Sequence, residues 1–134
     1  MLTADWTTVR LFLHVLAATV WVGGQLTLAG LVPTLRQLGP DAPRAVARRF
    51  NRIAWAAFAV LVITGVWNLL AIDVGSRTAA YHVTLALKLV VVAASGLGAA
   101  FHARARSRAA LAAWGAVSLA AALGATFLGV LLAG

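Results

Sequence analysis

The chain has 134 residues, enough for one domain, and 63% of them are hydrophobic against only 10% charged. That balance leaves no water-facing surface for a soluble fold and makes a bilayer the solvent. The net charge of +8 does not call for nucleic acid, because the arginines gather at the ends of apolar runs, where anionic lipid headgroups attract them.

There is no cysteine, and the single methionine is Met1. Disulfides, thiolate metal sites, iron–sulfur ligation and methionine-rich copper relays are excluded together. His14, His82 and His102 remain as good transition-metal ligands.

Spanning the hydrocarbon takes roughly 20 residues per helix, so four spans and short connections use nearly the whole length. The expected fold is all-α, a single four-span transmembrane bundle over residues 1–134. The first apolar run is not read as a signal peptide, since Asp5 lies where a basic region belongs and no Lys or Arg precedes Arg10. Its helix is expected over about 9–35, opened by Thr7 or Thr8 and closed near Gly39-Pro40. Residues 44–52, with Arg44, Arg48, Arg49 and Arg52, have helical periodicity and are expected to lie along the headgroups as a lead-in to the second span.

The second helix is expected over about 53–72, with Asp73, Gly75 and Ser76 supplying the reversal. The third covers about 81–103, its exit marked by Arg104, Arg106 and Arg108, and the fourth about 110–133. Five Arg in the first connection and three in the third, against Arg10 and Arg77 elsewhere, put both termini outside. Trp6, Trp67 and Tyr81 then belong to the outer interface and Trp55 and Trp114 to the inner one, in agreement with the charge count. Gly115, Ser118, Ala121, Ala122, Gly124 and Ala125 give the fourth helix small residues at close-packing spacing, usable within the chain or in a homodimer.

At 100° per residue, Arg10, His14, Trp21 and Gln25 share one face of the first helix, a stripe expected to look into the bundle. Tyr81, Thr84, Lys88, Ser95 and His102 share a face of the third, with His82 turned away from Lys88. A charge near mid-span is destabilising by about 2.5–3.5 kcal/mol on insertion scales, so Lys88 needs a partner or a function. His14 and Lys88 both fall roughly 10 Å below the outer surface by helical rise. They are expected to share an outer-leaflet pocket with Arg10 and with Thr64, Gly65, Trp67 and Asn68 from the second helix.

Those groups suit haem, which needs apolar and aromatic walls, an imidazole for iron and cations for two propionates. The simpler alternative is that His14 donates a hydrogen bond to a neighbouring helix. His82 is the second metal-ligand candidate by depth and otherwise an interfacial residue, and His102 belongs to the inner interface. No Ser-His-Asp arrangement, phosphate loop or carboxylate pair occurs, and the three Asp residues lie outside the expected spans, which excludes hydrolase and nucleotide chemistry.

The run from His14 through Trp21 to Gly23, followed by Arg49-Phe50-Asn51-Arg52 and Thr64-Gly65-Val66-Trp67, resembles the copper resistance protein D family and its relatives, the bacterial HemJ-like membrane protoporphyrinogen oxidases. Tyr81 and Lys88 fit the same pattern, and the resemblance covers about three of the four spans. It implies a multi-pass protein of a bacterial-type plasma membrane, with His14 and Trp21 in a haem-associated region and Lys88 as that family's third-helix lysine. The oxidase relatives place a histidine two residues before this lysine, where the present chain has Ala86. The expected function is therefore haem b binding in a redox role with an electron-transfer partner, or, alternatively, copper handling or passive membrane assembly.

Overall fold

The computed structural model describes residues 3–134; Met1 and Leu2 lie outside the described residues. In chain order the elements are α1 (Trp6–Ala18), a π-helical turn (Thr19–Gly23), α2 (Gly24–Leu38), α3 (Ala42–Leu70), a 3₁₀ turn (Val74–Ser76), α4 (Ala79–Arg104) and α5 (Arg108–Ala133). Among the described residues there is no β-strand. Four helical stretches, Trp6–Leu38, Ala42–Leu70, Ala79–Arg104 and Arg108–Ala133, are long and apolar enough to cross a membrane. The protein is an all-α integral membrane protein with four spans.

Helix boundaries follow local chemistry. Asp5, rather than Thr7 or Thr8, caps α1: its carboxylate accepts the Thr8 backbone N–H at 2.8 Å, and the Thr8 hydroxyl accepts the Asp5 N–H at 3.5 Å. A carboxylate is the stronger acceptor and is favoured by the helix dipole, which moves the start outward from the expected position. The same bond to the Thr8 backbone, helped by the Thr8 hydroxyl, holds the exposed Asp5 carboxyl below its ordinary range.

The first span is continuous from Trp6 to Leu38, with the π turn taking up one widened turn. Thr19 donates its hydroxyl to the Val15 carbonyl at 2.9 Å, a back-bond that competes with the helical ladder where the widening begins. The span ends at Gly39, whose φ of 149° suits glycine alone, and Pro40 follows.

Pro43 lies in the first turn of α3, where a missing N–H costs nothing. The basic stretch 44–52 is not a separate lead-in. No breaker separates it from the span, so it forms the first turns of one 29-residue helix that rises about 44 Å, more than the hydrocarbon thickness of about 30 Å. This helix stops at Leu70, two residues before the expected end. Thr78 and Ser107 cap α4 and α5 by accepting from the N–H groups of Tyr81 (3.2 Å) and Ala110 (3.1 Å), so both helices start slightly earlier than hydropathy suggests.

Burial is inverted relative to a water-soluble protein. Phe12, Ile63, Val83, Val90 and Phe127 are all more than 60% exposed, whereas Thr64, Ser95 and Ser118 are buried. Within each unit the buried hydroxyls stand among small and aromatic side chains, Ala17, Trp21 and Ala54 in the first and Ala122 in the second, and large apolar side chains face outward, the arrangement that lipid favours.

The chain divides into two compact units, Met1–Ile72 and Asp73–Gly134. In the first, α1, the π turn and α2 pack along α3 in antiparallel sense, and the Phe50 ring lies directly on Gly24. A Cβ at Gly24 would overlap that ring, so the glycine permits the contact. In the second unit α4 and α5 are tightly joined. Ser95 and Ser118 each donate a hydroxyl to the other's backbone carbonyl at 2.9 Å. A Cβ at Gly98 would sit 2.9 Å from the Ser118 backbone nitrogen.

Candidate functional site in the first unit

The stripe expected on the first helix is present and faces α3. Arg10, Ala17 and Trp21 are buried and His14 is half-buried. His14 pairs with Thr64, and Trp21 with Phe58 and Trp55, which fixes the antiparallel register. One helical turn beyond the His14–Thr64 level, that register brings Arg10 and Asn68 to a common level near the start of α1 and the end of α3.

His14 Nδ1 lies 2.8 Å from Thr64 Oγ1. The Thr64 hydroxyl donates its one proton to the Val60 carbonyl at 2.7 Å, so it can only accept from the imidazole. His14 is therefore the Nδ1–H donor, and the lone pair of the neutral ring resides on Nε2. A metal-ligating histidine is commonly oriented in this way, with one nitrogen anchored by a neighbouring oxygen. Gly65 adjoins the ring: a Cβ there would stand 3.6 Å from His14 Cε1, an ordinary van der Waals contact.

Below this pair, toward the π turn, lies an aromatic cluster. The Trp21 ring is 4.6 Å from Phe58 and 5.7 Å from Trp55, and Trp55 meets Phe58 edge-on at 5.6 Å. Gln25 donates its side-chain amide to the Trp21 carbonyl at 3.1 Å, bracing the widened turn at its centre. The sequence marks Trp55 as an interfacial anchor and does not single out Phe58; both belong to the packing around Trp21. Their partnership becomes readable only when the register of α1 against α3 is known.

Arg10 and Asn68 form the other end of the stripe. Arg10 is 9% exposed, and its Nε and the Asn68 Oδ1 are buried polar atoms with no hydrogen-bond partner. Trp6 and Trp67, at the same end, are exposed, as suits rings at a membrane interface.

The remaining sequence candidates belong to the second unit. Lys88 is half-buried on α4, and its ammonium lies along α5, 3.0 Å from where a Cβ of Gly129 would stand. His82 is exposed and donates its Nε2–H to the Val74 carbonyl at 2.8 Å, tying α4 to the preceding turn. His102 donates Nδ1–H to the Leu111 carbonyl at 2.7 Å, and the glycine at 115 makes room for its ring. Both histidines thus have a structural hydrogen bond within their unit.

Among the described residues no group of three or more His, Cys, Asp or Glu side chains converges. A cage made of protein ligands alone is absent there, whereas a porphyrin iron asks the protein for only one or two axial ligands. Compared with protein-family models, with curated proteins and with solved structures, the chain finds no match in any of the three.

Proposed function

We propose that this four-span membrane protein binds haem b on the helix pair of its first unit, with His14 as an axial ligand, and serves a redox role. The reading also has both termini outside and a bacterial-type plasma membrane as the location, as the arginine distribution and the resemblance to the copper resistance D and HemJ-like families imply. The observation that carries it is the bond from His14 Nδ1–H to Thr64, because it assigns the ring lone pair to Nε2 and fixes the plane of the imidazole. The aromatic cluster of Trp21, Trp55 and Phe58 supports it by providing an apolar neighbourhood about two turns away, its rings tilted or edge-on to one another.

When bound, the iron supplies one-electron chemistry between its ferric and ferrous states. The protein's part is to hold the ligand, keep water from it with aliphatic and aromatic side chains, and balance charge. Lys88 enters this reading through the resemblance alone.

The test is the absorption spectrum of the purified protein expressed with ample haem precursor, for the wild type, His14→Ala and Lys88→Met. A Soret band in the wild type that disappears in His14→Ala is expected. An absent band, or one indifferent to His14, removes the haem assignment, and copper found in stoichiometric amount without haem would replace it with the copper-handling reading.

A further inference from the structure

Arg10 is 9% exposed, and its Nε–H is buried without an acceptor. No carboxylate or carbonyl accepts from its Nε, and Asn68 Oδ1, at the same level of the helix pair, is likewise buried and unsatisfied. Arginine cannot shed its proton at accessible pH, so burial cannot be relieved by neutralisation as it is for lysine. A buried charge without a partner is among the costliest arrangements in a folded chain. The Arg10 Nε–H lacks an acceptor, which an anion supplies, and Asn68 joins such a site only with its amide turned so that the NH₂ faces it.

Depth narrows its chemistry. Arg10 lies four residues after Trp6, about 6 Å along the axis from the start of α1, in the zone where exposed Trp6 and Trp67 mark a membrane interface. Oxyanions occur at that depth on lipid headgroups and on amphipathic ligands that place an apolar body in the hydrocarbon and a carboxylate at its edge. The planar guanidinium is suited to two parallel bonds with such a group. The Asn68 amide, turned about its last bond, presents a second donor.

We propose that Arg10 and Asn68 form a binding site for a carboxylate or phosphate oxyanion at the interfacial end of the first unit. The site does not depend on iron or on His14 as a ligand. A lipid phosphate and a porphyrin carboxylate are its two sources, and they are separable by experiment.

The full chain, purified without haem, is placed in phosphatidylcholine nanodiscs containing a minor fraction of phosphatidylglycerol, and retained lipid is counted by native mass spectrometry. In parallel, the detergent-solubilised chain is titrated with metal-free protoporphyrin IX and with its dimethyl ester, read by porphyrin fluorescence. If the oxyanion is a lipid phosphate, the wild type retains phosphatidylglycerol and Arg10→Gln loses it. If it is a carboxylate, the free acid binds about tenfold or more tightly than the ester, and Arg10→Gln erases that difference.

Arg10→Lys, which keeps the charge but not the fork, is expected to fall between, and Asn68→Ala to weaken the same ligand. Arg108→Gln, at an exposed arginine, serves as the control and leaves both measurements unchanged. Should Arg10→Gln fail to insert, Arg10→Lys and Asn68→Ala decide the matter. Equal lipid retention in all variants together with equal affinity for acid and ester would overturn the proposal and leave an ordered water as the occupant. Because the probe porphyrin carries no iron, this result is independent of the spectral test on His14.

Discussion

Ser95 and Ser118 exchange hydrogen bonds across α4 and α5, each hydroxyl donating to the other residue's carbonyl at 2.9 Å. The exchange requires the two backbones to approach closely, and Gly98 provides the space, since a methyl group there would press on the Ser118 backbone at 2.9–3.1 Å. In lipid a hydrogen bond between helices contributes on average about 0.6 kcal/mol and at most roughly 1.7. Ser95→Ala and Ser118→Ala should each cost an amount in that range. Gly98→Leu should cost more than either, because it separates the helices and removes both bonds at once. Unfolding of the reconstituted protein by steric trapping would rank them, and a harmless Gly98→Leu would mean that the close approach is dispensable.

Thr64 acts on His14 through a single oxygen. Thr64→Val keeps the shape and removes the acceptor, so the imidazole loses its anchor and its tautomer is no longer assigned. If His14 ligates iron, haem affinity should fall about 10–100-fold in Thr64→Val and remain close to wild type in Thr64→Ser. Titration of the haem-free protein, followed at the Soret band, makes the comparison. Equal affinity in the two variants would disconnect Thr64 from the ligand.

Gly24 and Phe50 form a matched pair, with the Phe50 ring occupying the place of the absent side chain. Gly24→Ala alone should destabilise the first unit by displacing the ring. Combined with Phe50→Leu, whose smaller side chain clears the space, the alanine should cost less than it does alone. A double-mutant cycle read by thermal unfolding in detergent measures this, and strictly additive effects would show that the contact has no consequence.

Asp5 links the start of the first span to pH. Its carboxyl is held below the ordinary value by the Thr8 N–H, so the folded form binds its proton less readily than the unfolded chain does. The contribution is therefore present above the unfolded carboxylate range and is lost as pH falls through the lowered folded value. The protection of the Thr8 amide, its exchange rate divided into the intrinsic rate at each pH, should fall on acidification in the wild type and stay constant in Asp5→Asn.

Much of the architecture is legible in the sequence because lipid imposes a simple rule: long apolar helices separated by charged or glycine-containing turns. The four spans and the chain reversals at Gly39 and near Gly75 follow from hydropathy and turn chemistry alone. Helix starts were less legible, since hydropathy marks where a chain becomes apolar rather than where the first N–H finds an acceptor; Asp5, Thr78 and Ser107 decide that. The continuity of residues 44–52 with the second span was hidden for a related reason, because arginine is a good helix former whatever its polarity.

The candidate site was legible as a stripe on one helix but not as a set of partners. Helical periodicity aligns Arg10, His14 and Trp21, while the choice of Thr64, Phe58 and Trp55 to face them depends on how far α1 is slid along α3. Sequence periodicity contains no information about that offset. The hydrogen bonds of His82 to Val74 and of His102 to Leu111 were equally hidden, because both acceptors are backbone carbonyls, which every residue carries.

The wide turn at Thr19–Gly23 has the effect of one extra residue inserted in an otherwise regular helix. Everything after it is re-phased, so the segment before the turn and the segment after it can each be aimed without disturbing the other. A one-residue deletion within 19–23 would restore regular winding and leave α2 close to its present phase against α1, whereas winding all five residues as a regular helix would rotate α2 by roughly 100°. The deletion would therefore keep Gly24 on Phe50 and His14 beside Thr64, while a second inserted residue would swing Gly24 off the ring, which makes this short stretch the place where the first span tolerates losing a residue and not gaining one.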